Sequence, residues 1–114
     1  MTDKSAVTHN LNDRFRKGDV TVPGQIFITS GLMSLMAEKS TEPTALAKIV
    51  QDYDDFSPDN DPYGEHDFGA FDFLGSKCFW KIDHYDPSLK WGSEDPSDTS
   101  ITTRVLTMLL ASEY

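Results

Sequence analysis

With 114 residues, 38% of them hydrophobic and 25% charged, the chain has the composition of one small folded domain over 1–114 and not of a disordered tail. Its net charge of −9 sits in one half: residues 1–50 carry six basic and five acidic groups, residues 51–114 four and fourteen. That half excludes a direct grip on nucleic acid, which needs clustered Lys and Arg, and a single cysteine excludes an internal disulfide or a cysteine zinc cage.

No apolar run is long enough to cross a bilayer and no signal peptide opens the chain, so a cytoplasmic protein without a membrane partner is expected. A first helix is expected over about residues 5–17, where Val7, Leu11 and Phe15 recur at i, i+4 and i+8. Arg14, Arg16 and Lys17 fill its last turn, where cations favour the helix dipole, and Gly18 suits the C-cap. These cations read first as dipole compensation and solubility, and second as a dock for acidic residues further on. Pro23-Gly24 marks a turn, Gln25 to Thr29 a strand, and LMSLMA a short helix whose Met33 and Met36 read first as gap-fillers in the core and second as an adaptable binding patch. The clearest helix spans about 42–54, with Thr41 as N-cap, Pro43 in the first turn, and Leu46, Ile49, Val50 and Tyr53 on one face. Asp54-Asp55 at its end oppose the dipole, at a cost of about a few tenths of a kcal/mol.

The chain is organised around Asp52–Asp72, which holds eight carboxylates (Asp52, Asp54, Asp55, Asp59, Asp61, Glu65, Asp67, Asp72) and no Lys or Arg. Like charge concentrated in this way costs stability, so a solvated, functional or metal-binding reason for it is expected, beside the plain use of Asn and Asp as turn and capping groups. Pro58, Pro62 and the Asn/Asp residues beside them predict an ordered, turn-rich segment. His66 to Phe73 and Lys77 to Tyr85 then read as two strands about a Gly75-Ser76 turn. Pairing Leu74 with Lys77 puts Phe73 opposite Cys78, Phe71 opposite Trp80, Gly69 opposite Ile82, and Asp67 opposite His84. A turn-rich connection with Trp91 follows, and then a helix over about Thr99 to Ser112, capped by Ser97 or Asp98, with Ile101, Val105, Met108 and Leu109 as its stripe. Its β-branched opening, ITTRV, leaves a strand as the alternative. The expected fold is α+β: a small antiparallel sheet with a central hairpin at about 66–85, packed against three to four helices.

Several blocks resemble one family. The run Asp55-Phe56-x-Pro58-Asp59-Asn60-Asp61-Pro62-x-Gly64-Glu65-His66-Asp67-Phe68-Gly69 is similar to the signature of a proteobacterial family known as domain of unknown function 3768. Phe79-Trp80-Lys81-Ile82-Asp83-x-Tyr85-Asp86, Thr103-Arg104-Val105-Leu106-Thr107, Ala111-x-Glu113-Tyr114 and Leu11-Asn12-Asp13-x-Phe15-Arg16 resemble it too. His84 departs from the pattern, standing where the family has tyrosine, so no mechanism that needs histidine there carries over. The resemblance implies no activity. The occurrence of such proteins on plasmids, near anti-restriction and partition genes, implies an anti-defence role by association.

Three chemistries compete for the acidic segment. Asp59, Asp61, Glu65, His66 and Asp67 offer oxygen donors and an imidazole for a divalent cation, although Tyr63 and Ala70 at ligand positions exclude an EF-hand. A histidine oriented by a carboxylate, His66 with Glu65 or Asp67, or His84 with Asp67, would serve acid–base catalysis. As strand neighbours, however, His66 and Asp67 point to opposite faces. Cys78 falls on the core face and reads as an inert thiol. No Walker A, GxSxG, HExxH or dinucleotide fingerprint occurs, and no catalytic residue is assigned. The third reading ranks first: an acidic inhibitor of the anti-CRISPR or anti-restriction type, occupying a basic nucleic-acid-binding surface of a host protein or ribonucleoprotein. Asp54, Asp55, Asp59, Asp61, Glu65, Glu94 and Asp95 would meet the partner's cations, with Trp91 as apolar anchor. The alternative is a small metal-dependent hydrolase or metal-binding protein using residues 59–67. No cofactor is expected beyond the divalent cation of that alternative.

Overall fold

Alternating apolar side chains build a hairpin, a continuously apolar strand joins it in the sheet, and three helices cover one face. The computed structural model describes residues 3–114. In chain order, α1 spans Asp3–Arg16, β1 Gly24–Ile28, α2 Ser30–Glu38, α3 Pro43–Gln51, β2 Phe68–Phe73, β3 Ser76–Tyr85 and β4 Thr103–Leu110, with a short 3-10 turn at Ala111–Glu113. The strands lie in the order β1-β4-β3-β2. The α+β architecture is as the sequence predicts. The sheet is mixed, however, because β1 runs parallel to β4 while the other pairs are antiparallel.

The expected helix at 99–112 is instead β4, a central strand. A strand with neighbours on both edges and side chains buried on both faces shows no alternation. Arg104, Val105, Leu106, Met108 and Leu109 are all buried, so its apolar run imitates a helical stripe. The β-branched opening was the truer signal.

The hairpin is real, but its register sits two residues from the expected one. Leu74 and Gly75 form the turn with φ of 54° and 80°, the pair of left-handed residues that a two-residue type I′ turn demands. Phe73 therefore faces Ser76, Phe71 faces Cys78 and Gly69 faces Trp80. A shift of two keeps every side chain on its predicted face, because the side-chain period is two. It does part Asp67 from His84: the Asp67 carbonyl accepts from Ile82 N at 2.8 Å, and His84 pairs with Arg104 of β4.

Cys78, Trp80 and Ile82 of β3 meet Leu106 and Met108 of β4 on the helix-covered face. Leu11 and Phe15 of α1, Leu32 and Met36 of α2, and Leu46 and Val50 of α3 close over them. On α1 the buried stripe also takes in Thr8, Asn12 and Arg16, while Val7 is 45% exposed and lies outside the core. For α3 the N-cap position is Glu42 and not Thr41, with Pro43 first in the helix, and the helix ends at Gln51. Asp54 and Asp55 thus lie beyond it. The carboxylate at its end is Asp52, paired with Lys48 at 2.9 Å. At the N-terminus of α2, Glu113 takes the capping role from 82 positions away, accepting from Gly31 N at 3.0 Å and from the Thr29 hydroxyl at 2.6 Å.

Gly69 is buried where β2 crosses Trp80, and a Cβ there would collide with the Trp80 indole and stand 2.7 Å from Tyr53 Cζ. Gly69→Ala is expected to lower stability by about 1–3 kcal/mol through overpacking. Gly75→Ala meets open space and loses only the left-handed φ preference, about 1 kcal/mol. Urea midpoints of the two variants should rank in that order.

Candidate functional site

The acidic segment 52–67 is held against α1 by a chain of charged and polar contacts. It begins at Arg16, whose side chain is 1% exposed. Its Nη1 donates to the carbonyls of Val50, Gln51 and Tyr53 at 2.9, 3.2 and 3.0 Å, closing the last turn of α3. Its Nη2 donates to Asp13 Oδ1 at 2.9 Å, and the guanidinium lies 5.2 Å from the Trp80 ring centre and 5.5 Å from that of Phe56.

Asp13 is the next link. Its Oδ1 lies 2.9 Å from His66 Nδ1 and its Oδ2 lies 3.0 Å from His9 Nε2. Burial works to raise the Asp13 pKa, but hydrogen bonds from His66 and Arg16, with the attraction of their charges, hold it below the usual carboxylate value. His66, at a φ of 55°, is sandwiched: Phe56 stacks on it at 3.7 Å and 4°, and His9 lies 3.7 Å away at 34°. Its Nε2 stands 3.5 Å from Asp61 Oδ2, and its backbone N donates to Asp61 Oδ1 at 3.3 Å.

A second cluster lies deeper. Asn12, fully buried, accepts at Oδ1 from Arg104 Nε at 2.7 Å and from His84 Nε2 at 3.0 Å, and donates to the Glu65 carbonyl at 2.9 Å. Burial and the charge of Arg104 push His84 down to about 4, so at neutral pH it is the uncharged donor this geometry requires. Arg104, also fully buried, donates to the Pro96 carbonyl at 2.6 Å and is lowered by burial to about 10, still a cation. Its Nη1 has no hydrogen-bond partner among the described residues. Burial raises the pKa of both Glu65 and Asp67; Asp67 and Asp61 add repulsion at Glu65, and Asp61 and Asp83 add it at Asp67.

The predicted partner-facing residues divide. Asp54, Asp55 and Asp59 are exposed, with no ion pair on their carboxylates among the described residues. Asn60 fixes their segment: its Oδ1 accepts from Ser57 N at 2.8 Å and its Nδ2 donates to the Asp55 carbonyl at 2.8 Å. Asp61 turns inward to His66, and Glu65 is half-buried. Trp91 is 71% exposed and shares a surface cleft of about 280 Å³ with Glu94. Asp95 is taken by Lys4 at 3.3 Å and by Ser97. Cys78 is fully buried, and burial pushes its thiol up, so it is inert.

The predicted metal donors behave differently again. Among the described residues, the group with ligand atoms close enough for one ion joins His66 to His9 and Asp13, not to Asp59, Glu65 or Asp67. Sequence reasoning missed His9 and Asp13. Their i, i+4 spacing on α1 was the available signal, but nothing in it announced that His66 would land beside them. His66 and Asp61 also line an open cleft of about 370 Å³, with Phe56, Pro58 and Tyr63.

A family model described as Protein of unknown function (DUF3768) matches residues 28–113, a span that takes in the acidic segment and strands β2, β3 and β4 but only the last residue of β1. No curated protein and no solved structure matches the chain.

Two measurements test these clusters. Arg16→Ala uncovers three carbonyls and strands Asp13, and is expected to cost about 3 kcal/mol or more in chemical denaturation. For His84 the sign is set by a folded pKa below the unfolded one: its neutral form supports the fold fully above 6.5, and that support is lost as pH falls towards about 4. The loss is at most about 1.4 kcal/mol per pH unit. Glu65 and Asp67, with raised pKa values, act in the opposite sense, so the test is a difference: His84→Gln should flatten the fall in stability between pH 6.5 and 4.

Proposed function

The chain belongs to the DUF3768 family of proteins of unknown function, and we propose that it is an acidic binding protein that occupies a basic, nucleic-acid-binding surface of a partner protein. The observation that carries this reading is the set of Asp54, Asp55 and Asp59: exposed, without cationic partners among the described residues, and presented by a segment fixed through Asn60. A chain at net −9 that leaves these charges unneutralised accepts self-repulsion, which a Lys/Arg-lined cleft relieves. Exposed pairs contribute about 0.2–1 kcal/mol each, so affinity needs several of them and an apolar anchor. Trp91 beside Glu94 supplies the anchor. Asp61 and Glu65 serve this reading from inside, by shaping the segment. Among the described residues no helix is long and apolar enough to cross a membrane, and the proposed partner is a protein or ribonucleoprotein. The family resemblance implies, by genetic association alone, a CRISPR or restriction complex as the class of partner to test.

The test is a pull-down from a proteobacterial lysate with the wild type and with Asp54→Asn/Asp55→Asn/Asp59→Asn, whose fold should hold within about 0.5 kcal/mol. The wild type is expected to retain a nucleic-acid-binding protein that added DNA or RNA displaces, with association slowing as salt rises past the roughly 8–10 Å screening regime. The triple variant is expected to lose it. Equal retention by both proteins would end this reading.

A further inference from the structure

We propose that His9, Asp13 and His66 form a binding site for a divalent cation of the zinc class, which ties α1 to the acidic segment. Their ligand atoms lie within 4.8 Å of one another. Asp13 Oδ1 is 2.9 Å from His66 Nδ1, and Asp13 Oδ2 is 3.0 Å from His9 Nε2. Donors bound to one ion at about 2.0–2.1 Å stand roughly 3–3.5 Å apart. The two short contacts fall on different oxygens of Asp13, so an ion would replace these hydrogen bonds and draw the three donors together over a short distance. His9 and Asp13 come from successive turns of one helix face, and His66 from the loop 53 positions beyond Asp13.

Two imidazoles and one carboxylate select the metal class. Mg²⁺ and Ca²⁺ want oxygen donors throughout, whereas nitrogen suits Zn²⁺, Co²⁺ and Ni²⁺. The surroundings are built as a metal site's are. The second nitrogen of His66 faces Asp61 at 3.5 Å, the carboxylate–histidine relation that orients a ligating ring. Phe56 stacked on the same ring fixes its plane, and Arg16 donates at 2.9 Å to Asp13 Oδ1, the oxygen that also meets His66, which holds the carboxylate in place. The three side chains are 29%, 23% and 18% exposed, withdrawn from bulk water yet open to an entering ion. The Arg16 cation weakens the site, and Asp61 offsets it. Three protein donors leave room for water, so binding should be weaker than in a closed four-ligand site.

The site is independent of the proposed partner surface, since none of its donors is among Asp54, Asp55 and Asp59. The test titrates the chelator-stripped full chain with ZnCl₂ by calorimetry, follows thermal unfolding, and reads CoCl₂ by its visible absorption. One equivalent of Zn²⁺ is expected, with a rise in Tm that MgCl₂ does not reproduce. His66→Ala removes a ring that also packs on Phe56 and risks unfolding. His9→Ala, the most exposed of the three, is therefore the deciding variant: with an unchanged circular dichroism spectrum it should lose at least about tenfold in affinity, the lower end of what even outer-shell changes cost. Asp59→Asn should bind as the wild type does. No stoichiometric uptake by the wild type would overturn the proposal. So would unchanged affinity in His9→Ala, binding lost in Asp59→Asn, or a Tm rise with MgCl₂ as large as with ZnCl₂.

Discussion

One buried guanidinium governs how the acidic segment is laid down. Arg16 meets three carbonyls at the end of α3, where helix geometry leaves acceptors without partners and the dipole is negative. A lone cation at 1% exposure would be costly, and Asp13 neutralises it at 2.9 Å. The planar fork matters, since one nitrogen serves the carbonyls while the other serves the carboxylate, and the flat faces rest near Trp80 and Phe56. A lysine would offer one point charge and could not do all of this. Because Asp13 is fixed by Arg16, His66 is fixed by Asp13, and with it the exit of the segment into β2.

Around that anchor the segment's charges are sorted. Asp54, Asp55 and Asp59 face water, where repulsion is screened. Asp61, Glu65 and Asp67 turn towards α1 and β3, where burial and each other's charge raise the pKa of the last two. Neutral hydrogen bonding makes the inner part tolerable: Asn12 joins Arg104, His84 and the Glu65 carbonyl without adding charge.

Much of this was legible in the residues, and the failures have physical causes. The prolines and Asn60 announced an ordered turn, and Asn60 makes it. The hairpin faces were right although the register moved by two, because hydrophobic pattern reports the face while turn chemistry reports the pairing; the left-handed Leu74 carried no sequence warning. The end of the chain was misread because a strand buried on both sides and a helix share the same dense apolar run. Hydrophobic periodicity could not find the polar stripe of Thr8, Asn12 and Arg16, since it takes burial to mean apolar. A polar residue belongs in a core only when its partners are there too, and these partners come from distant parts of the chain.

The position of β4 also governs the order of assembly. It joins β1 to the β2–β3 hairpin, and its Arg104 reaches Asn12 from 92 positions away. Without residues 103–110, β1 has no strand beside it and the hairpin is unpaired along β3 as well as along the outer edge of β2. Local elements form early, but the contacts that make them one body close long loops and carry the entropic cost of doing so. Without β4 in place, Trp80, Ile82 and the β3 edge lose the strand that covers them. Any opening that detaches β4 would therefore bare a strand edge of the kind that pairs with other chains, an edge the finished fold hides.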